Sequence, residues 1–151
     1  MKWLQLEARR GYRSGMAEQL QVEREILLDG ETAEVWPQVA STEGWQQWLV
    51  DEAAVEVAQG AVGEVTDDGV TREIRITEVE EQRSVTFQWW ERDDPAAASE
   101  VVITMYPLPE GGSRVHIVER PLGMTLRASS TRSWEVRALL LALTQCTLAR
   151  V

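Results

Sequence analysis

The sequence predicts an α+β fold: one antiparallel sheet, entered through a strand and two short helices and followed by a long terminal helix. Three observations carry this. From Val22 to Trp48 a strand of period two leads into two tryptophan-rich helical turns. Between Val70 and Glu119 apolar residues alternate with polar ones and are punctuated by Asp- and Gly-rich turns. From about Arg132 to Arg150 apolar residues follow helical spacing around more than half of the cylinder, which suits a helix held on several sides.

Each element follows from its residues. Val22, Ile26 and Leu28 share one parity, and Asp29-Gly30 stop the strand. Glu31 or Thr32 opens a helix with Val35, Trp36 and Val39 on one side. Trp45 and Trp48 stand three apart and share a face of the second helix. Val70, Ile74 and Ile76 form the inward set of the next strand, together with Arg72; then come Val85, Phe87 and Trp89, then Val101, Ile103 and Met105. In the last strand Val115, Ile117 and Glu119 point inward and His116 outward. Asp67-Asp68-Gly69 and Glu110-Gly111-Gly112-Ser113 supply residues that tolerate positive φ in tight hairpins. Asp93-Asp94-Pro95 and the alanines up to Ser99 read as a longer loop. Trp134, Ala138, Leu141 and Leu148 mark one face of the terminal helix, which also holds the lone Cys146.

Charge narrows the function classes. Twenty-five acidic residues against fifteen basic ones give a formal net charge of −10, which repels phosphate backbones and anionic headgroups. Nucleic acid and membrane surfaces are therefore not expected partners. No apolar run reaches the roughly 18 residues that a membrane span needs. Trp3, Leu4 and Leu6 are too few for a secretory core, and one cysteine cannot form an internal disulfide, so a cytoplasmic location is expected. Lys2, Arg9, Arg10 and Arg13 form a basic head. Residues 1–20 read as an extension, partly disordered, with Met16 an alternative start; residues 21–151 read as a single domain.

The order of these motifs resembles the activator-of-Hsp90-ATPase-like (AHSA1-like) family, a branch of the START/Bet v 1-like superfamily. The resemblance rests on the Val22–Trp48 opening, the meander through Gly60-Ala61-Val62-Gly63 and Thr86-Phe87-Gln88-Trp89, the strand Arg114–Glu119, and Ser133-Trp134 at the head of the last helix. It implies a helix-grip fold, in which a curved antiparallel sheet wraps around a long C-terminal helix and leaves a cavity between them. It also implies that Trp36 and Trp134 fill the core, and that a histidine or glutamate often stands where Glu119 does.

Glu119 and Arg72 are the polar residues of the inward faces. A buried carboxylate is costly unless a cation or several donors meet it. Three readings stay open: a position at the rim, a structural ion pair, and a polar anchor inside a pocket. Arg24 shares the inward parity of its strand, so it is the expected partner of Glu119, with Arg72 the alternative. Seven tryptophans favour core filling, yet a cavity lined by aromatic groups with a few convergent polar ones is the usual form of a small-molecule site. The candidate ligand-binding set is Trp45, Trp48, Arg72, Phe87, Trp89, Met105, Glu119 and Leu141. No metal, cofactor or catalytic motif is recognised: there is no H-E-x-x-H, C-x-x-C, P-loop or G-x-G-x-x-G. The leading expectation is non-catalytic binding of a small apolar or amphipathic molecule. A protein-interaction or co-chaperone role is the first alternative, and a cyclase- or hydrolase-type enzyme using Glu119 or Arg72 is the second.

Overall fold

Seven antiparallel strands form one curved sheet, and two helices pack against it. In the computed structural model the described residues are 21–123. Along the chain come β1 (Val22–Leu28), α1 (Thr32–Val39), α2 (Thr42–Trp48), β2 (Glu52–Ala54), β3 (Val62–Asp67), β4 (Val70–Glu80), β5 (Ser84–Glu91), β6 (Asp94–Pro107) and β7 (Ser113–Pro121). The spatial order is β1-β7-β6-β5-β4-β3-β2. The helical excursion therefore carries the chain from one edge of the sheet to the other, and the meander returns strand by strand. The expected terminal helix, with Trp134, Leu141 and Cys146, and the N-terminal extension lie outside the described residues.

Period-two burial sets the core face. Ile26 and Leu28, Ile74 and Ile76, Val85, Phe87 and Trp89, Val101, Ile103 and Met105, and Val115 and Ile117 are all buried. Between them stand half-buried or exposed residues such as Thr86, Gln88, Val102 and His116. Asp68 (φ 51°) and Gly69 (φ +76°) make the two-residue β3–β4 hairpin, where two successive positive φ values match the twist of the flanking strands. Gly112 (φ +87°) ends the β6–β7 turn where an added Cβ would stand 2.5 Å from the Leu28 carbonyl oxygen.

Three departures from the sequence reading have physical causes. Residues 94–98 belong to β6 and not to a loop: Glu91 pairs with Asp94 and Trp89 with Ser99. Between those pairs Pro95 to Ala98 stand against Trp90 alone, an irregularity at which proline, lacking an N–H, is tolerated. In β4 the register shifts between Ile76 and Glu78, so Val79 comes to oppose Val85, and parity counted from Val70 fails beyond the bulge. The short β2 went unread because three residues, Glu-Ala-Ala, carry no alternation; pairing with β3 makes it a strand.

The helices are locked to each other by their tryptophans. Trp45 Nε1 donates to the Val39 carbonyl at 2.6 Å, and Trp48 Nε1 donates to the Gln38 carbonyl at 2.7 Å. Two carbonyls at the end of α1, which the helix leaves without partners, are thereby satisfied. Ser41 caps α2 by accepting from the Gly44 N–H at 2.9 Å. Gly44 is required at the crossing: a Cβ there would lie 2.5 Å from the Pro37 carbonyl oxygen and 2.6 Å from the Gln38 Cα. Trp36, expected in the core, is only half-buried against it.

Candidate functional site

An aromatic row crosses the concave face and ends in charge. Trp45, reaching down from α2, meets Phe87 of β5 with ring centroids 4.9 Å apart. Phe87 meets Trp89 edge-on at 5.2 Å, with an interplanar angle of 73°. The two sheet aromatics are neighbours because they are two residues apart on one strand. Trp89 Nε1 then donates to Glu119 Oε1 at 3.0 Å, across the intervening β6. The same indole carries the Arg72 guanidinium over its ring, 5.3 Å from the centroid.

Register explains why these three meet. Ile74 pairs with Trp89, Trp89 with Ser99, Val101 with Glu119, and Glu119 with Val22. Arg72 lies one inward position from Ile74 on β4. All three therefore gather at the end of the face where β4 begins and β5 and β7 finish. Glu119 is 2% exposed and Trp89 4%, whereas 26% of the Arg72 side chain is open. The arginine stands at the rim, and the indole and carboxylate lie inside.

Arg24 occupies the same face, opposite Ile117, so it is a diagonal neighbour of Glu119 and not its direct cross-strand partner. Its Nη1 donates to the Glu23 carbonyl at 2.9 Å. Arg72 Nη2 lies 4.0 Å from Glu91 Oε1. Trp45, Phe87, Trp89, Arg72 and Glu119 thus form one contiguous series. Trp48 stands beside it, held by its bond to α1. Met105 is buried on the same face, but on β6 it stands four residues from Val101, the partner of Glu119, and six from Ser99, the partner of Trp89, roughly 13–20 Å from the polar end. Leu141 lies outside the described residues.

A second charged feature, unread in the sequence, lies on the convex side. Trp90 Nε1 donates to Glu73 Oε2 at 2.8 Å, Arg92 Nε donates to Glu73 Oε1 at 3.2 Å, and Arg92 Nη2 also binds Glu64. The Arg92 pKa is raised, first by the Glu73 hydrogen bond and then by the charge of Glu64, so the cation stays protonated at any ordinary pH. A hollow of about 340 Å³ opens beside it, lined by Thr71, Glu73, Glu91, Arg92 and Asp93. The opposite parities of Trp89 and Trp90 could have signalled that two tryptophans serve two different faces. His116, outward as expected, contacts Glu23 Oε1 at 2.5 Å through Nε2.

Among the described residues no group of three or more His, Cys, Asp or Glu side chains could hold a metal ion, and no helix is long and apolar enough to cross a membrane. The family model described as Activator of Hsp90 ATPase homolog 1-like protein matches residues 29–138. The chain belongs to that family. No curated protein sequence matches it, so the remaining comparisons are structural. It is similar to protein MLL2253 from Mesorhizobium loti, with 16% identity and a TM-score of 0.69, over 87% of this chain and 99% of that one. It is also similar to the Aha1 dimer from Colwellia psychrerythraea, with 12% identity and a TM-score of 0.65, over 83% and 96%. A third is DynU16, described as a putative protein in the dynemicin biosynthetic locus: 20% identity and a TM-score of 0.69, over 84% of this chain but 47% of that one. At such identities the likeness shows the fold alone: a curved antiparallel sheet with two helices, consistent with the Bet v 1-like class.

Proposed function

We propose that this protein binds a small apolar or amphipathic molecule against the concave face of its sheet, without catalysing a reaction. The observation that carries this reading is the Trp45–Phe87–Trp89 row ending at Glu119 and Arg72, an apolar aromatic surface closed by a few convergent polar groups. Trp45 and Trp48 form its fixed wall, Phe87 and Met105 its floor, and Arg72, Trp89 and Glu119 its polar end. In this reading residues 21–151 are one cytoplasmic domain. Native mass spectrometry of protein purified from its own host should then reveal a retained small molecule. In solution, an apolar fluorescent probe should bind and change tryptophan emission. Binding left unchanged by both Trp89→Ala and Trp48→Ala would place any pocket elsewhere.

Family membership favours a second reading, a co-chaperone-like protein interaction. Its test is separate: purified protein added to the Hsp90 ATPase of the same host should raise turnover under the second reading and leave it unchanged under the first.

A further inference from the structure

We propose that Arg72 selects the ligand of this site, and that the class selected is an amphipathic monocarboxylate whose head group meets the guanidinium. The proposal rests on the binding reading above and adds the chemistry of the ligand.

The side chains around Arg72 hold its position while leaving its donors open. The guanidinium carbon lies over the Trp89 ring, 5.3 Å from its centroid, and the stem leaves β4 beside the buried Ile74. Its nearest acid, Glu91, is 4.0 Å from Nη2, beyond hydrogen-bond length, and is itself mostly exposed. Among the described residues the Arg72 side chain makes no hydrogen bond. Other arginines are placed differently. Arg92 spends its donors on Glu73 and Glu64, Arg83 faces Glu80 at 3.4 Å, and Arg120 faces Glu100 at 3.5 Å. Arg114 also lies over an aromatic ring, but that ring is Tyr106 on the convex face.

A guanidinium held against an aromatic ring by cation–π attraction keeps its N–H groups as a planar fork, which donates to both oxygens of a carboxylate. Partial burial makes the pairing stronger than at an open surface. Behind the fork the apolar row of Trp89 and Phe87 suits a hydrocarbon body. The nearest acid decides between anions. Glu91, 4.0 Å from Nη2 at the rim, opposes a second negative charge, so a monoanionic carboxylate fits where a dianionic phosphate is repelled.

Calorimetric titration with decanoate, decanol and decylamine, each below its micelle concentration, tests this directly. Decanoate should bind the native protein at least ~10-fold more tightly than decanol, the scale of one charge-assisted hydrogen-bond pair, and decylamine should bind most weakly. In Arg72→Met, which keeps an apolar stem beside Trp89, the ratio of decanoate to decanol affinity should fall to about one. Arg72→Lys should restore part of the preference. Equal affinities for decanoate and decanol in the native protein, or a preference that survives Arg72→Met, would overturn the assignment. If none of the three binds, the binding reading itself falls, and this inference with it.

Discussion

Trp45 and Trp48 on one side and Trp89 on the other are all buried, yet their indole N–H groups have different partners. The helix tryptophans donate to backbone carbonyls at the end of α1, groups that any helix end must satisfy. Trp89 donates to a buried carboxylate and supports a cation on its ring. The first arrangement fastens two short helices together. The second brings charge to the end of an aromatic surface, which a purely structural core has no need to do. For a buried tryptophan, the partner of the N–H separates wall from site better than burial does.

The largest effect should come from the wall. Trp45→Ala removes a fully buried ring and a hydrogen bond, and is expected to cost ~3–5 kcal/mol in a denaturant titration. A loss below about 1 kcal/mol would show that α2 is not anchored through this residue. Gly44→Ala comes next. Its methyl group would press on the Pro37 and Gln38 backbone, so about 3 kcal/mol should be lost as α1 and α2 separate. A neutral outcome there would mean that the crossing opens easily.

Trp89→Phe should cost less, about 1–2 kcal/mol, because the ring stays while Glu119 loses a donor. Its effect on ligand preference should exceed its effect on stability, whereas Trp48→Phe should do the reverse. Equal behaviour of the two variants in melting and titration would erase the distinction between wall and site. The smallest effect is expected from Arg92→Gln on the convex face. Its ion pairs are solvent-exposed, so the unfolding midpoint should hardly move, and less still in high salt.

Much of the sheet was legible because period-two burial is a strong signal wherever one face is covered. Val85-Thr86-Phe87-Gln88-Trp89 and Val115 to Glu119 could be assigned to faces side chain by side chain. Where pairing and not pattern makes the strand, as in β2, or where a bulge resets parity, as beyond Ile76, alternation is uninformative. The inward placement of Arg72 and Glu119 was readable for the same reason. Their link through Trp89 was not, since it spans β6 and depends on the registers Trp89↔Ser99 and Val101↔Glu119. Arg24 shares the face of Glu119, as its parity implies, but the register sets it opposite Ile117, a diagonal offset that parity alone does not give.

The division between wall and site is tested most directly by fluorine NMR of protein labelled with fluorotryptophan, titrated with an apolar probe. Seven tryptophans give seven resonances, assigned through the single Trp→Phe variants. The Trp89 resonance should move furthest, progressively to saturation, with smaller shifts at Trp45 and Trp48. A Trp89 resonance that remains still at saturating probe, with Trp45 or Trp48 moving instead, would contradict the division.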